Sequence, residues 1–419
     1  MSTAAGTDPS QPSVVVVGAS LAGGTVAQTL REDGFTGRIV LIGSEPHLPY
    51  ERPPLSKGYL LGTAERDVAF LHPTPWYAEQ DIELWLGRTV TAIDRDAHEV
   101  VVDGSERLAY TSLVLATGSR PRLIDVPGSE LSGVRYLRTI DDADGLLEAF
   151  THRPRVAVIG GGWIGLEVAA AAREHGLDVT VLEVGALPLV RVLGPQVAQI
   201  FADLHREHGV DLRTEVQVTA LTSDDGTSVS GVRLADGAVV PAELVVVGVG
   251  ITPQVELAEA AGLAVDNGVV VDEHLRTADP HVLAVGDVAR ARHTTLGIDL
   301  RVEHWANAQR HGAVAAKTIE GVPAADERLP YFFTDQYELG MEYVGYVPDP
   351  AAAEVVIRGD VGKRELIVFW LDGDRVLAGM NVNVWDVTED IEALIRAGAP
   401  VDRARLADPD VPLTEVAAT

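Results

Sequence analysis

Lys57, Glu167, Glu183 and Asp287, spread around two glycine-rich loops, are the residues of this chain whose types and positions could do chemistry. The first loop, Gly18-Ala19-Ser20-Leu21-Ala22-Gly23, follows the apolar run Val14-Val15-Val16-Val17. The second, Gly160-Gly161-Gly162-Trp163-Ile164-Gly165, follows Val156-Ala157-Val158-Ile159. A buried strand, a glycine turn and a helix start present backbone N–H groups and the positive helix end to a pyrophosphate. Two such units imply two dinucleotides. The second loop has all three glycines, and Glu183 lies 18 positions beyond Gly165. A carboxylate there can accept hydrogen bonds from ribose hydroxyls and repel a 2′-phosphate, so NADH rather than NADPH is expected. In the first loop Ser20 takes the second glycine position, and it is small enough to weaken the pattern without breaking it. Strand register leaves either Ser44 or Glu45 as its acidic partner, and only Glu45 carries a carboxylate.

The chain has no cysteine, so no protein disulfide, thiolate or cysteine-held cluster can carry electrons between the two nucleotides. That excludes most disulfide reductase chemistry. A net charge of −29 disfavours nucleic acid and anionic membranes, and neither is expected as a partner. With 46% hydrophobic and 23% charged residues the chain reads as soluble and globular. No apolar run approaches the length of a membrane span. Met1 to Pro12 is small and polar and lacks the basic and apolar regions of a signal peptide, so a frayed tail and a cytoplasmic protein are expected. His205 and His208 lie three apart on a helical pattern with no third ligand nearby, and no metal site is expected. No Ser-His-Asp arrangement is legible.

These residues need strands and helices to place them. Arg38-Ile39-Val40-Leu41-Ile42 is a second strand after the first loop, and the prolines between Pro46 and Lys57 preclude a regular helix or central strand there. Leu113 to Leu115 is a buried strand entering the turn Thr117-Gly118, and Val282 to Val285 another entering Gly286-Asp287. Glycine turns at the carboxyl ends of strands are where open α/β sheets bind ligands; a helix-capping role for Asp287 stays open beside that reading. From Leu329 the chain becomes aromatic and β-rich. The expected architecture is α/β: a discontinuous first dinucleotide-binding domain over 13–121 and 253–328, an NAD-binding domain over 122–252, and a small α+β C-terminal domain over 329–419. Both nucleotide domains are expected to be doubly wound and Rossmann-like.

The ordered motifs "GASLAG", "LPYERPPLSK", "LATGSRP", "YLRT", "GGGWIGLEVAA", "TADPHVLAVGDVA", "EHWANAQRHG" and "PYFFTDQYELG" run through nearly the whole chain. It resembles the FAD-dependent, NADH-linked ferredoxin reductases of bacterial oxygenase systems, which share the pyridine nucleotide-disulfide oxidoreductase fold. The resemblance implies non-covalent FAD, with contacts at Ala22, Glu45, Arg52, Lys57, Val90, Arg138, Asp287 and Trp305 beside the loop residues Gly18, Ser20, Gly23, Thr117 and Gly118. For NAD it implies Gly162, Ile164, Glu183, Arg191 and Gly250 beside Gly160 and Gly165. Lys57 and Glu167 would meet beside flavin N5, where the cation stabilises negative charge on the reduced ring; a solvated lysine and a surface glutamate are the alternative. Trp163 stands where such enzymes cover the nicotinamide pocket, or else it is a core side chain. Departures from the usual pattern are Ser20, Ser44, Trp163 and Phe333.

What the resemblance implies for function is hydride transfer from NADH to the flavin and single-electron release to a small acidic ferredoxin with a 2Fe–2S or 3Fe–4S cluster. Such a ferredoxin feeds a cytochrome P-450 type monooxygenase or a ring-hydroxylating dioxygenase. A rubredoxin or quinone-type reductase and an NADH-binding redox sensor are the other readings. Between Val288 and Thr318 five basic residues (Arg290, Arg292, Arg301, Arg310, Lys317) stand against two acidic ones (Asp299, Glu303). This stretch, through Arg310 and Lys317, is the expected docking site for the acidic partner, with chance clustering on helix surfaces as the alternative.

Overall fold

The structure, a computed structural model, describes residues 12–418. All but Pro12 of the polar tail expected over Met1 to Pro12 lies outside the described residues. The chain forms two compact units, one from Met1–Glu51, Ala69–Arg120 and Thr252–Arg328, the other from Arg52–Val68, Pro121–Ile251 and Leu329–Thr419.

The first unit is built on five parallel strands in the order Val282–Ala284, Ser112–Leu115, Ser13–Val17, Arg38–Gly43, Ile82–Leu86. Val14, Val15 and Val16 are fully buried, as strands covered on both faces must be. From Ser13–Val17 the chain builds outward on one side through Arg38–Gly43 and Ile82–Leu86 and then crosses back to lay Ser112–Leu115 on the other, and this reversal opens a crevice at the carboxyl end of Ser13–Val17. The helix Leu21–Glu32 starts there. A separate antiparallel sheet carries Val90 at the start of the strand Val90–Asp94.

The second unit repeats the design. Its parallel order is Asp211–Arg213, Val179–Leu182, Val156–Ile159, Leu244–Val247, Val134–Arg135, with the helix Trp163–Glu174 following the central strand. The helix Val190–Glu207 is broken at Gly194, whose φ of 72° is left-handed, and Pro195 follows. A Cβ on Gly194 would stand 2.6 Å from the Pro350 carbonyl oxygen. Near the break the Leu193 carbonyl accepts the indole N–H of the fully buried Trp370 at 3.2 Å. Residues 331–382 supply five antiparallel strands in the order Tyr331–Gln336, Leu339–Gly345, Arg375–Val382, Glu365–Asp372, Glu354–Asp360. Val158, Phe201, Leu60 and Trp370 share one core in this unit.

Candidate functional site

In the first unit the glycine loop is sterically obligatory. Gly18 has a φ of +119°, and a Cβ on it would lie 2.1 Å from the Ala116 carbonyl oxygen. A Cβ on Gly23 would lie 2.0 Å from the Gly18 oxygen, so helix and loop touch backbone to backbone. Ser20 is the N-cap but makes no capping bond; its hydroxyl donates to the Tyr50 carbonyl at 3.1 Å instead. The first helical turn has no acidic residue, which leaves its amides and its positive end for an anion. Glu45, just past the strand Arg38–Gly43, accepts the Tyr50 hydroxyl at 2.5 Å, while Ser44 is exposed. Tyr50, 1% exposed, therefore organises both the loop and the carboxylate.

The turn Thr117-Gly118 is locked by Gln254: the Thr117 hydroxyl donates to the Gln254 carbonyl at 2.8 Å, and the Gln254 amide donates to the Thr117 carbonyl at 2.6 Å. Gly286, beside Asp287, sits where an added Cβ would be 3.1 Å from the Ala22 side chain. Gly18, Ala22, the 116–118 turn and the 286–287 turn thus converge. Trp305 opens the helix Trp305–Ile319 and donates its indole N–H to Glu51. These residues fit the pyrophosphate, ribose and ribityl contacts that a bound FAD needs.

The second unit holds a like arrangement for NAD. Gly160 has a φ of +104° and would place a Cβ 2.4 Å from the Gly248 oxygen; one on Gly165 would lie 2.2 Å from the Gly160 oxygen. The helix Trp163–Glu174 has Gly162 as an uncapped N-cap and no acid in its first turn. Gly162 and Ile164 are exposed at this mouth. Glu183 takes the Gly161 and Gly185 amides, each at 2.6 Å, so its carboxylate is fixed beside the loop and keeps lone pairs for a ribose. Gly250, with a φ of +102°, has nothing within 4 Å of an added Cβ, and Arg191 is exposed in the first turn of the broken helix. Trp163 packs edge-on against Phe201, 5.5 Å between ring centroids, and at a tilt against Phe332 at 5.2 Å.

The most chemically loaded cluster also lies in the second unit. Glu167, 3% exposed, accepts the Lys57 ammonium at 2.7 Å and the Thr334 hydroxyl at 2.5 Å on Oε1, and the Ser56 hydroxyl on Oε2. Lys57 also lies over the Phe333 ring, 5.2 Å from its centroid. Lys57 and Ser56 come from the 3₁₀ turn Pro53–Ser56 and its end, Glu167 from the nucleotide helix, Thr334 from the strand Tyr331–Gln336. A buried charge is tolerable only when paired and hydrogen-bonded, and this carboxylate is both. The solvated lysine and surface glutamate of the alternative reading are not found. Sequence reasoning found Lys57 and Glu167 but missed Ser56 and Thr334, as it missed Tyr50 and Gln254.

Arg52 and Arg138 also meet in this unit, Arg52 donating to the Arg138 carbonyl. In the first unit, part of the expected cationic stretch is paired with carboxylates. Arg290 pairs with Asp266, Arg292 with Asp299 at 3.3 Å and Arg301 with Glu303 at 2.5 Å, so three of its five cations are largely neutralised in place. Arg310 and Lys317 stand seven residues apart on one helix, which puts them on the same face. His205 is buried against Gln336, and His208 stacks on Tyr337 at 3.7 Å between ring centroids.

Residues 12–312 match the family described as pyridine nucleotide-disulphide oxidoreductase, and residues 331–417 match the one described as reductase C-terminal. The chain is 41% identical to putidaredoxin reductase of Pseudomonas putida over 97% of its length and 96% of that protein's. It is also 41% identical to the ferredoxin–NAD(+) reductase component of the anthranilate 1,2-dioxygenase system of Burkholderia cepacia, over 95% of its length and 98% of that protein's. Among solved structures it resembles the reductase of the covalent putidaredoxin reductase–putidaredoxin complex, with a TM-score of 0.92 and 41% identity, covering 97% of this chain and 98% of that one.

Proposed function

Since the chain belongs to the pyridine nucleotide-disulphide oxidoreductase family, we propose that it is an FAD-dependent NADH:ferredoxin oxidoreductase. It passes electrons to a small iron–sulfur ferredoxin that feeds a cytochrome P-450 type monooxygenase or a ring-hydroxylating dioxygenase. The observation that carries this reading is the buried Lys57–Glu167 pair in a chain without cysteine. FAD, held non-covalently, supplies acceptance of a hydride from NADH and release of electrons one at a time. Gly18, Ser20 and the amides of the first nucleotide helix would hold its pyrophosphate, Glu45 a ribose, and Asp287 the ribityl chain. Gly160 to Gly165 would hold the pyrophosphate of NADH and Glu183 a ribose. Lys57 would offer positive charge to a bound flavin, and Glu167 fixes that ammonium in place. Arg310 and Lys317 face the ferredoxin, which is acidic and carries a 2Fe–2S or 3Fe–4S cluster. No helix among the described residues is long and apolar enough to cross a membrane, and we place the protein in the cytoplasm, where NADH is regenerated.

Lys57→Met tests the pair. Stopped-flow mixing with NADH should show flavin reduction slowed by about tenfold or more, the loss of roughly 1.4 kcal/mol of charge stabilisation, with FAD still bound. An unchanged rate at full FAD occupancy would remove both residues from the mechanism.

A further inference from the structure

A run of buried polar side chains ends on Glu167, and chemistry fixes its direction. An ionised carboxylate only accepts hydrogen bonds, so the Thr334 hydroxyl, 2.5 Å from Oε1, donates to it. Thr334 then offers Gln336 only lone pairs, and Gln336 meets it with its amide NH₂ at 3.2 Å. That turns the Gln336 carbonyl oxygen to His205, whose Nε2, 2.8 Å away, must carry the proton. Nδ1 is left as an acceptor facing the Tyr337 hydroxyl at 3.5 Å. His205, Gln336, Thr334 and Glu167 are each no more than 3% exposed. Burial pushes the His205 pKa down to about 4, against the pull of Gln336, so the ring is neutral near pH 7 and holds one proton.

We propose that His205, Gln336 and Thr334 are positioning residues, each acting through the next, that hold the Glu167 carboxylate aimed at Lys57 and so help set the potential of the flavin this pair serves. The inference rests on the reading of Lys57 and Glu167 given above. The run polarises but does not conduct: passing a proton through Gln336 would turn its amide into an imidic acid. Every donor in it points towards Glu167, and hydrogen bonds in such a series strengthen one another. Lys57 and Thr334 share Oε1 while Ser56 holds Oε2. Removing the Thr334 donor concentrates negative charge on the oxygen facing Lys57. More of the cation's field is then cancelled, and the reduced flavin is less stabilised.

Thr334→Val removes the donor at nearly constant shape, and Thr334→Ser restores it. In the holoenzyme, Thr334→Val should slow NADH-driven flavin reduction by about fivefold or more, equivalent to about 1 kcal/mol, and make the flavin midpoint potential more negative. Thr334→Ser should stay within about twofold of the parent. His205→Leu should shift rate and potential in the same direction as Thr334→Val. The double variant should be no worse than Thr334→Val alone, because the effects travel one route. In the unaltered holoenzyme, nitrogen-15 NMR should show His205 as the Nε2–H tautomer, a readout that survives even where a variant does not fold. An Nδ1–H tautomer, strictly additive effects, or folded FAD-bound variants with unchanged rate and potential would overturn the proposal. Glu167→Gln separates the two layers. If it alters rate and potential while Thr334→Val does not, only the positioning run fails; if it alters neither, the reading of the pair fails and the proposal falls with it.

Discussion

At the scale of the residue, we propose that a single carboxylate decides the coenzyme. Glu183 is held by two backbone amides beside the second glycine loop, so it cannot swing far from a bulky anion. A charge about 4 Å from a 2′-phosphate costs on the order of 4 kcal/mol per phosphate charge at an effective dielectric near 20. Motion and solvent reduce that, but about 2.7 kcal/mol suffices for a 100-fold preference. Steady-state kinetics should therefore show kcat/KM for NADH exceeding that for NADPH by about 100-fold or more, and Glu183→Gln should narrow the gap. Equal efficiencies for the two coenzymes in the parent would contradict the assignment. Glu183 was legible because an acid at a fixed distance past a glycine loop is a spacing signal. Ser56, Thr334 and Tyr50 were not. Their hydroxyls reach partners 111, 167 and 5 positions away, and neither serine, threonine nor tyrosine carries a pattern that would mark such a contact.

The strand–loop–helix units are the elements that sequence declares most openly, because only glycine allows the backbone approach they need. Gly18 combines a left-handed φ with a Cβ position 2.1 Å from a carbonyl oxygen, so Gly18→Ala must displace the 116–118 turn or the loop itself. The expected result is protein that folds but purifies with little FAD, measured as the flavin-to-protein absorbance ratio. Full flavin content in Gly18→Ala would show that the loop tolerates a side chain and that its fit to a pyrophosphate has been misjudged. The aromatic, β-rich texture after Leu329 forms the five-stranded antiparallel sheet. Nothing in the sequence marks Arg52–Val68 as part of the second unit. Its prolines exclude regular structure but are silent about which core receives Leu60. A count of charges along the chain is silent in the same way about Asp266, which pairs with Arg290 across 24 positions.

For the molecule as a whole, charge and acidity set the limits. Burial holds His205 and His311 neutral, with pKa values pushed down to about 4. The unfolded chain takes up those protons near pH 6.5, so stability is complete above that pH and is lost as pH falls from about 6.5 towards 4. At pH 5 the loss is roughly 2 kcal/mol per histidine. Thermal melts should show a lower Tm at pH 5 than at pH 7; a Tm that holds or rises would mean these rings are not neutral in the fold. A net charge of −29 also repels an acidic ferredoxin at long range, and we propose that a local cation, Arg310, steers it. Arg310→Glu should slow ferredoxin reduction by about tenfold at low salt and less at high salt, where the Debye length shrinks. Ferricyanide reduction should stay near the parental rate. The central claim, that electrons from NADH leave through a ferredoxin, is tested most directly by NADH-dependent cytochrome c reduction with and without candidate iron–sulfur ferredoxins. A rate that depends strongly on one added ferredoxin is the result the account predicts. An NADH-reducible flavin whose electrons reach a quinone or rubredoxin, while no ferredoxin accelerates cytochrome c reduction, would contradict it.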